Sequence, residues 1–188
     1  MIHRIFLLPG AAVMPNSSKD RCAAAWAGAL LPLLLPLLLL APPLRAQPAA
    51  APQREPLDAF PQTLLSIRVA GPRVLNFKVW VADRPNRQEQ GLMFVRELDE
   101  HAGMLFKFPV SQQLSMWMKN TFIPLDMLFI DGRGRIDYIA ASTTPLSLDI
   151  IQAPRPVDAV LELKGGACER LGIRPGDQVL NAELGKSH

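Results

Sequence analysis

The stretch LDMLFIDGRGRIDYIAA, residues 125–141, predicts two β-strands joined by a tight turn. Its first half is almost entirely apolar, DGRG at 131–134 is a strong hairpin turn, and RIDYIAA returns in extended form. The same period of two continues outward into LLSIRVA at 64–70 and VLNFKVWVA at 74–82, where apolar and polar residues alternate. Alternation of this kind is typical of strands with one buried face, so it predicts a β-dominated chain.

Further strands are predicted in GMLFKFP, SMWMKNTF and VDAVLEL, which occupy residues 103–109, 115–122 and 157–163. A last strand follows the turn sequence RPGDQV. In VDAVLEL the apolar residues alternate with polar ones, and Glu162 falls on the polar side. We therefore expect the Glu162 carboxylate to face solvent.

Two short helices interrupt the strands. The first is predicted within DRPNRQEQG at 83–91, where Asp83 can cap the helix and Pro85 suits its first turn. The second is predicted in GGACERLGI and ends at Gly172. Since the repeated βαβ rhythm of a parallel sheet is absent, the fold expected is mainly β with a minor α component. It is a compact jelly-roll-like sandwich or barrel of seven to eight short strands with two short helices.

The N-terminal quarter differs from the rest. Residues 23–40 are apolar apart from small residues and two prolines, with Lys19 and Arg21 before them and an Ala- and Pro-rich exit after them. This pattern predicts a signal peptide over residues 1–46, with cleavage near Ala46 and translation starting at Met1 or Met14. The alternative is an uncleaved inner-membrane anchor over residues 23–41, since the apolar run is just long enough to span a bilayer.

The remaining boundaries follow from composition. Residues 47–60 are rich in Pro and Ala and predict a flexible linker, residues 61–183 suit a single domain, and residues 184–188 form a tail. Without residues 1–46 the chain keeps 16 basic and 16 acidic residues, so its charge indicates no nucleic-acid partner. Cys168 is then the only cysteine, which excludes an internal disulfide.

Several blocks of the domain occur in an order and spacing that resemble a known family. They are GLMFVREL, GMLFKFP, WMKNTFIPLDMLFIDGRGRI and VLELKGGACERLGIRPGDQV. Over Ser66 to Val179 the chain resembles the bacterial and archaeal family called domain of unknown function 192. The resemblance implies a compact β-rich domain of jelly-roll-like or barrel-like form, often exported or anchored. It implies no activity and no catalytic residues, because the family has no settled function.

Polar residues inside the apolar segment 114–134 are the candidate site. If residues 115–122 form one strand, Met116 and Met118 point inward, while Trp117, Lys119 and Thr121 share the other face. There Trp117 could stack on a flat group such as a sugar ring while the other two side chains supply hydrogen-bond donors. The candidate ligand-binding residues are Trp117, Lys119, Asn120, Thr121, Asp126 and Arg96.

A purely structural role is the alternative for these residues. Trp117 would then pack under the polar helix, and Asn120 and Thr121 would satisfy loop backbone groups. Asp126 lies between apolar residues and needs a partner, for which Lys119 and Arg96 are the candidates.

Catalytic and metal-binding alternatives rest on fewer residues. A hydrolase would use Asp126, and a Cu(I) carrier would use the thioethers of Met116 and Met118. Cys168 stands at a helix start, where the helix dipole lowers a thiol pKa and makes a reactive thiol conceivable, but small buried packing beneath the short helix is the favoured interpretation. The sequence shows no nucleophile elbow, zinc spacing or phosphate-binding loop.

The function expected from these observations is a small ligand-binding or accessory module of the bacterial envelope rather than an enzyme. It is expected to be a periplasmic or secreted monomer that binds a small molecule or an envelope component. We predict no catalytic residues, no cofactor and no resident metal. Contact with a membrane is expected only through the leader, if the leader stays uncleaved.

Overall fold

The computed structural model describes residues 54–182 and residue 184. The predicted signal peptide, Cys22 and residues 47–53 of the predicted linker lie outside the described residues. Among the described residues, no helix has the length and apolar character needed to cross a membrane.

Nine strands and two short α-helices make up the described part of the chain, and this confirms the predicted mainly β fold. The strands are β1 (Gln62–Arg68), β2 (Val74–Ala82), β3 (Ala102–Gln112), β4 (Ser115–Met116), β5 (Leu125–Ile130), β6 (Ile136–Ala140), β7 (Ile151–Gln152), β8 (Val157–Lys164) and β9 (Gln178–Leu180). The helices are α1 (Pro85–Gln90) and α2 (Ala167–Leu171), and a 3-10 turn covers Leu57–Ala59.

Seven strands form one curled sheet in the order β6-β5-β8-β3-β2-β1-β9. Its two edge strands meet, because Arg135, just before β6, forms a β-bridge with Gln178. The Ile136 N–H donates to the Asp177 carbonyl at 3.0 Å, and the Val179 N–H donates to the Gly134 carbonyl at 2.8 Å. This contact joins the ends of the sheet into a partly closed barrel and covers the edges that an open sheet would leave unpaired.

The concave face of the sheet is filled by apolar side chains from all seven strands. They include Leu65, Phe77, Leu105, Leu128, Ile136, Leu161 and Val179, all with at most 2% exposure. The hairpin predicted at 125–141 is present as β5 and β6, with Leu128 opposite Ile139. Successive side chains of a strand point to opposite faces, and the period of two read from the sequence places Leu65, Phe77 and Leu161 correctly.

The convex face is also covered, and this corrects the prediction for Glu162. Residues from the segments before and after β4 form a second apolar cluster that covers the middle strands of the sheet. The cluster includes Leu92, Leu114 and Met118. Glu162 lies on this face between Met104 and Met127 of the neighbouring strands and is fully buried. The alternation along β8 placed Glu162 on the correct face of the sheet, but this face is covered by other parts of the chain rather than by water.

One parallel pair, which the sequence did not predict, joins β2 to β3 across α1. Asp83 does not cap α1; its carboxylate accepts a hydrogen bond from Arg87 at 3.0 Å. The buried Arg87 guanidinium also donates to Glu55 at 2.6 Å, and Phe60 is 3% exposed. Residues 54–60, assigned to the linker from their composition, therefore contact the domain.

The segment 115–122 does not form the single strand that was predicted. Pairing with β7 ends at Met116, and Lys119 and Asn120 occupy a turn. Asn120 adopts a left-handed φ of +57°, which breaks the alternation of faces beyond this point. Met116 and Met118 are nevertheless buried at 1% and 0% exposure.

Candidate functional site

Three segments meet at one end of the sheet and form what we call the loop junction. The segments are residues 92–96, 117–123 and 142–147. The Phe94 N–H donates to the Asn120 carbonyl at 2.8 Å, and the Leu146 N–H donates to the Thr121 carbonyl at 3.1 Å. The middle segment is thus held by backbone hydrogen bonds from both of the others.

Backbone strain is concentrated in the loop junction. Within residues 54–182 and 184, four non-glycine residues have a positive φ, and all four lie in it. They are Phe94 at +65°, Asn120 at +57°, Ser142 at +46° and Leu146 at +63°. Each such conformation costs about 1–2 kcal/mol for an L-residue, and residues of this kind cluster at functional sites. The junction is therefore where this fold departs most from relaxed geometry.

Trp117 and Lys119 form a cation–π pair on the middle segment. The Lys119 Nζ lies 5.4 Å from the centroid of the Trp117 ring. The Trp117 indole Nε1 is buried and has no hydrogen-bond partner among the described residues. Lys119 forms no ion pair with any described carboxylate, including that of Asp126, which was its predicted partner. This cation therefore keeps its capacity to bind an anion.

A second group of aromatic rings and cations lies beside the first, and we call it the arginine–phenylalanine cluster. Phe94 and Phe122 meet edge to face at 5.8 Å. The Arg54 guanidinium lies 5.0 Å from the Phe94 ring, and the Arg96 guanidinium lies 5.0 Å from the Phe122 ring. Both phenylalanines are more than one-third exposed. The predicted residue Arg96 thus reaches an aromatic face, not Asp126.

Asp126 is fully buried and accepts hydrogen bonds from three backbone N–H groups. Its Oδ1 accepts from Ser142 at 2.7 Å and from Gly166 at 2.9 Å, and its Oδ2 accepts from Cys168 at 2.8 Å. Such bonds satisfy a buried carboxylate and tie the junction to the start of α2. This carboxylate therefore binds backbone and is closed to solvent, which is unsuited to the general-base role of the hydrolase alternative.

Cys168 is buried at the first turn of α2, at 4% exposure. Burial raises the pKa of its thiol far above the ordinary value, and the neighbouring Asp126 charge and hydrogen bond raise it further. The lowering by the helix dipole considered for this thiol is therefore outweighed. A thiol that stays protonated is a poor nucleophile, so the geometry favours a packing role.

The remaining predicted residues take part in the structure of the loop. Thr121 is fully buried, and its hydroxyl donates to the Lys119 carbonyl at 3.4 Å, so it does not face solvent as predicted. The Asn120 Nδ2 lies 3.9 Å from the Met93 sulfur. Since the strand ends at Met116, neither residue shares an exposed face with Trp117.

The methionines proposed as Cu(I) ligands are part of the convex-face core. The Met118 sulfur lies 3.1 Å from the Thr143 hydroxyl oxygen, and Met116 lies in β4 opposite Ile151. In the described ranges, no three His, Cys, Asp or Glu side chains lie close enough together to hold a metal ion.

Sequence reasoning missed the segment at 142–147 and the aromatic pair. Continuing the alternation of residues 115–122 would place Phe122 on the inward side with Met116 and Met118, but it is 36% exposed. Phe94 was not singled out. The Thr143 hydroxyl donates to the Leu125 carbonyl at 2.9 Å and accepts the Leu125 N–H at 3.2 Å, so it fixes the entry to β5. The only sequence signal for this segment is its run of Ser, Thr and Pro, which predicts a loop without showing what the loop contacts.

Two solved structures resemble this fold. A protein from Sinorhizobium meliloti 1021, named provisionally as a transcription regulator, is 41% identical with a TM-score of 0.65, over 66% of this chain and 97% of that one. A protein of unknown function from Novosphingobium aromaticivorans DSM 12444 is 36% identical with a TM-score of 0.64, over 70% of this chain and 94% of that one. Because the Sinorhizobium protein is almost entirely this domain, the domain folds there without a further segment.

A family model matches residues 66–180, close to the range over which the sequence blocks predicted membership. The matching family is DUF192, described as "Uncharacterized ACR". No curated protein matches the chain. The chain therefore belongs to the domain of unknown function 192 family of uncharacterised proteins.

Proposed function

We propose that this protein is an exported recognition module that binds a carboxylated, ring-containing component of the bacterial envelope beside Trp117. The observation that carries the proposal is the position of Lys119, whose Nζ lies 5.4 Å from the Trp117 ring and pairs with no described carboxylate. An aromatic face with an adjacent free ammonium suits a ligand that joins a flat or sugar ring to an anionic group. Peptidoglycan fragments, which carry carboxylated sugars and peptides, are of this class.

The strained loop junction supports recognition over a purely packing role. Phe94 and Leu146 have bulky side chains in left-handed conformations, and relaxed loops seldom place such residues there. Their strain persists because backbone hydrogen bonds from Phe94 to Asn120 and from Leu146 to Thr121 fix the middle segment. A binding site benefits from this rigidity, since ordering the loop on ligand binding would otherwise lower the affinity.

Arg96 adds a second cation to this surface. Its guanidinium lies over Phe122, one residue beyond the buried Thr121, and it also lacks an ion-pair partner among the described residues. By contrast, the Asp126 carboxylate and the Cys168 thiol are both buried, and the carboxylate accepts a hydrogen bond from the Cys168 backbone N–H. The exposed chemistry of the junction is therefore cationic and aromatic, which favours binding over acid–base catalysis.

The test is a titration of the protein from residue 47 onward with a muramyl dipeptide, followed by calorimetry. Lys119→Met and Trp117→Phe are each expected to weaken binding about tenfold, because each removes one of the two proposed contacts. N-acetylglucosamine, which lacks the carboxylate, is expected to bind the parent protein more weakly than the muramyl compound.

The chain offers close controls. Trp80 is also half-buried and also has a buried indole Nε1 without a hydrogen-bond partner among the described residues, so Trp80→Phe is matched to Trp117→Phe. Lys78 is exposed on β2, which makes Lys78→Met the control for charge. If the parent shows no binding at millimolar ligand, or the control variants weaken binding as much as the test variants, the proposal is wrong.

A further inference from the structure

A large share of the exposed apolar surface of the domain lies at the loop junction and the segment that leaves it. Phe94, Phe122, Leu146, Leu148 and Ile150 are 39%, 36%, 55%, 65% and 67% exposed, and we call them the apolar rim. They are five of the ten large apolar residues exposed in the described part of the chain. Exposed apolar side chains concentrated in one part of a surface mark a contact with a partner or a membrane.

The rim is built by local conformation. After Leu146, whose N–H binds the Thr121 carbonyl, Leu148 and Ile150 are also exposed, as is Asp149 between them. Between them, the Ser147 hydroxyl donates to the Asp149 carboxylate at 2.8 Å and accepts the Asp149 N–H at 3.0 Å. The polar residues therefore satisfy one another, while the aliphatic side chains between them extend into solvent.

Cations lie among these apolar side chains. In the arginine–phenylalanine cluster, the Arg54 guanidinium lies 5.0 Å from the Phe94 ring and the Arg96 guanidinium lies 5.0 Å from the Phe122 ring. Apolar and aromatic side chains flanked by arginines are the composition of surfaces that lie in the headgroup region of anionic bilayers. A protein partner would more often be met by a compact apolar patch with few charges at its centre.

The path of the chain adds an independent reason for a membrane. Arg54, the first described residue, lies 5.0 Å from the Phe94 ring, so the described part of the chain begins at this rim. The apolar run at 23–40 ends only 13 residues before Arg54. Where the leader stays uncleaved, these thirteen residues span at most about 45 Å between the apolar run and Arg54. Such tethering raises the local concentration of a weak surface contact.

From these observations we propose that the apolar rim docks onto an anionic lipid bilayer, with Leu148 and Ile150 inserting among the headgroups and Arg54 and Arg96 contacting lipid phosphates. This contact is separate from the leader, through which alone the sequence predicted a membrane contact. It is also distinct from ligand binding at Trp117 and Lys119, neither of which takes part in it, although Arg96 borders both surfaces.

The test is flotation of the protein from residue 47 onward with vesicles of phosphatidylglycerol and phosphatidylethanolamine. The double variant Leu148→Ser and Ile150→Ser is expected to lower the vesicle partition coefficient about tenfold or more, because two inserted aliphatic side chains are lost. The matched control is Leu64→Ser with Val110→Ser, since these residues are 76% and 65% exposed away from the loop junction. The control is expected to stay within about twofold of the parent.

A second part of the flotation test removes the two positive charges of the rim. Arg54→Gln with Arg96→Gln is expected to weaken binding to the phosphatidylglycerol vesicles about fivefold to thirtyfold, and to leave the weaker binding to phosphatidylcholine vesicles unchanged. The proposal is overturned if the parent does not float with anionic vesicles, or if the control pair lowers binding as much as Leu148→Ser with Ile150→Ser. It is also overturned if sedimentation shows that the rim variants abolish a dimer, because the occupant would then be a second copy of this chain.

Discussion

The Asp126 carboxylate accepts the backbone N–H of Cys168 at 2.8 Å, across 42 residues of sequence. Its other oxygen binds Ser142 and Gly166, so one fully buried side chain links β5, the loop junction and the start of α2. Hydrogen bonds to a charged group contribute more than neutral ones, and removing one partner leaves buried groups unsatisfied. Asp126 therefore supports the site by holding its frame.

Asp126→Asn should lower the free energy of unfolding by about 3 kcal/mol, because an amide offers one acceptor oxygen where the carboxylate offers two. Urea unfolding of the protein from residue 47 onward measures this loss. Asp99→Asn is the control, since Asp99 is exposed, and it should change stability by less than about 0.5 kcal/mol. Equal stability of the two variants would show that Asp126 is not a structural anchor.

Cys168 predicts a loss of stability at alkaline pH. Its folded-state pKa is raised above the ordinary value of 9.0 by burial and by Asp126. Above about pH 9 the unfolded chain releases this proton while the folded protein keeps it, so the folded state binds more protons. The free energy of unfolding should therefore fall by about 1.4 kcal/mol per pH unit from this group alone.

Comparison with Cys168→Ala isolates the contribution of this thiol from those of all other groups. The variant should lose stability less steeply between about pH 9 and 11 than the parent. The parent thiol should also react with a maleimide only after unfolding. Rapid labelling of the folded protein at neutral pH would contradict the buried, protonated thiol.

Leu146 tests the strain at the loop junction. Its φ of +63° disfavours any residue with a Cβ, so Leu146→Gly removes strain as it removes the side chain. Leu148 has comparable exposure but no positive φ, and Leu148→Gly gains no such relief. Leu146→Gly should therefore be more stable than Leu148→Gly by about 1 kcal/mol in urea unfolding. If the two variants lose equal stability, the left-handed conformation stores no strain.

Glu55 anchors residues 54–60 to the domain by accepting hydrogen bonds from the Arg87 guanidinium. Hydrogen bonding from Arg87 lowers the Glu55 pKa below 4.5, so the anchoring contact is complete above that pH and is lost as the pH falls through the lowered pKa. Glu55→Gln should remove this dependence and speed amide exchange at Phe60, whose N–H binds the Leu57 carbonyl. The exposed Glu97→Gln serves as control, and unchanged exchange in Glu55→Gln would exclude the anchor.

The sequence predicted the strands well because each has at least one face in a core. Phe77 and Leu161 alternate correctly along β2 and β8, since a pleated strand directs neighbouring side chains to opposite faces. The alternation could not show that the second face is also covered, so Glu162 was expected in solvent but is buried. Burial on the convex face depends on loops that come from distant parts of the chain.

The candidate site was predictable in part. Trp117 and Lys119 stood out as polar and aromatic residues within an apolar run, and the structure brings them together. The left-handed turn at Asn120 was missed because the apolar alternation indicated a continuous strand. The Thr121 N–H closes this turn on the Met118 carbonyl, and the Phe94 N–H holds the Asn120 carbonyl through a tertiary contact that alternation cannot show. The same turn buries Thr121 and separates Lys119 from Asp126. Expectations that assumed a continuous strand failed at this residue.

The most direct test of recognition at the loop junction is an NMR titration that follows the indole N–H signals. From residue 47 onward the chain contains two tryptophans, Trp80 and Trp117, each with a buried indole Nε1 that lacks a hydrogen-bond partner among the described residues. Addition of muramyl dipeptide should shift the Trp117 signal in a saturable manner and leave the Trp80 signal in place. If both signals stay unchanged, or if Trp80 alone responds, Trp117 and Lys119 are not a binding site.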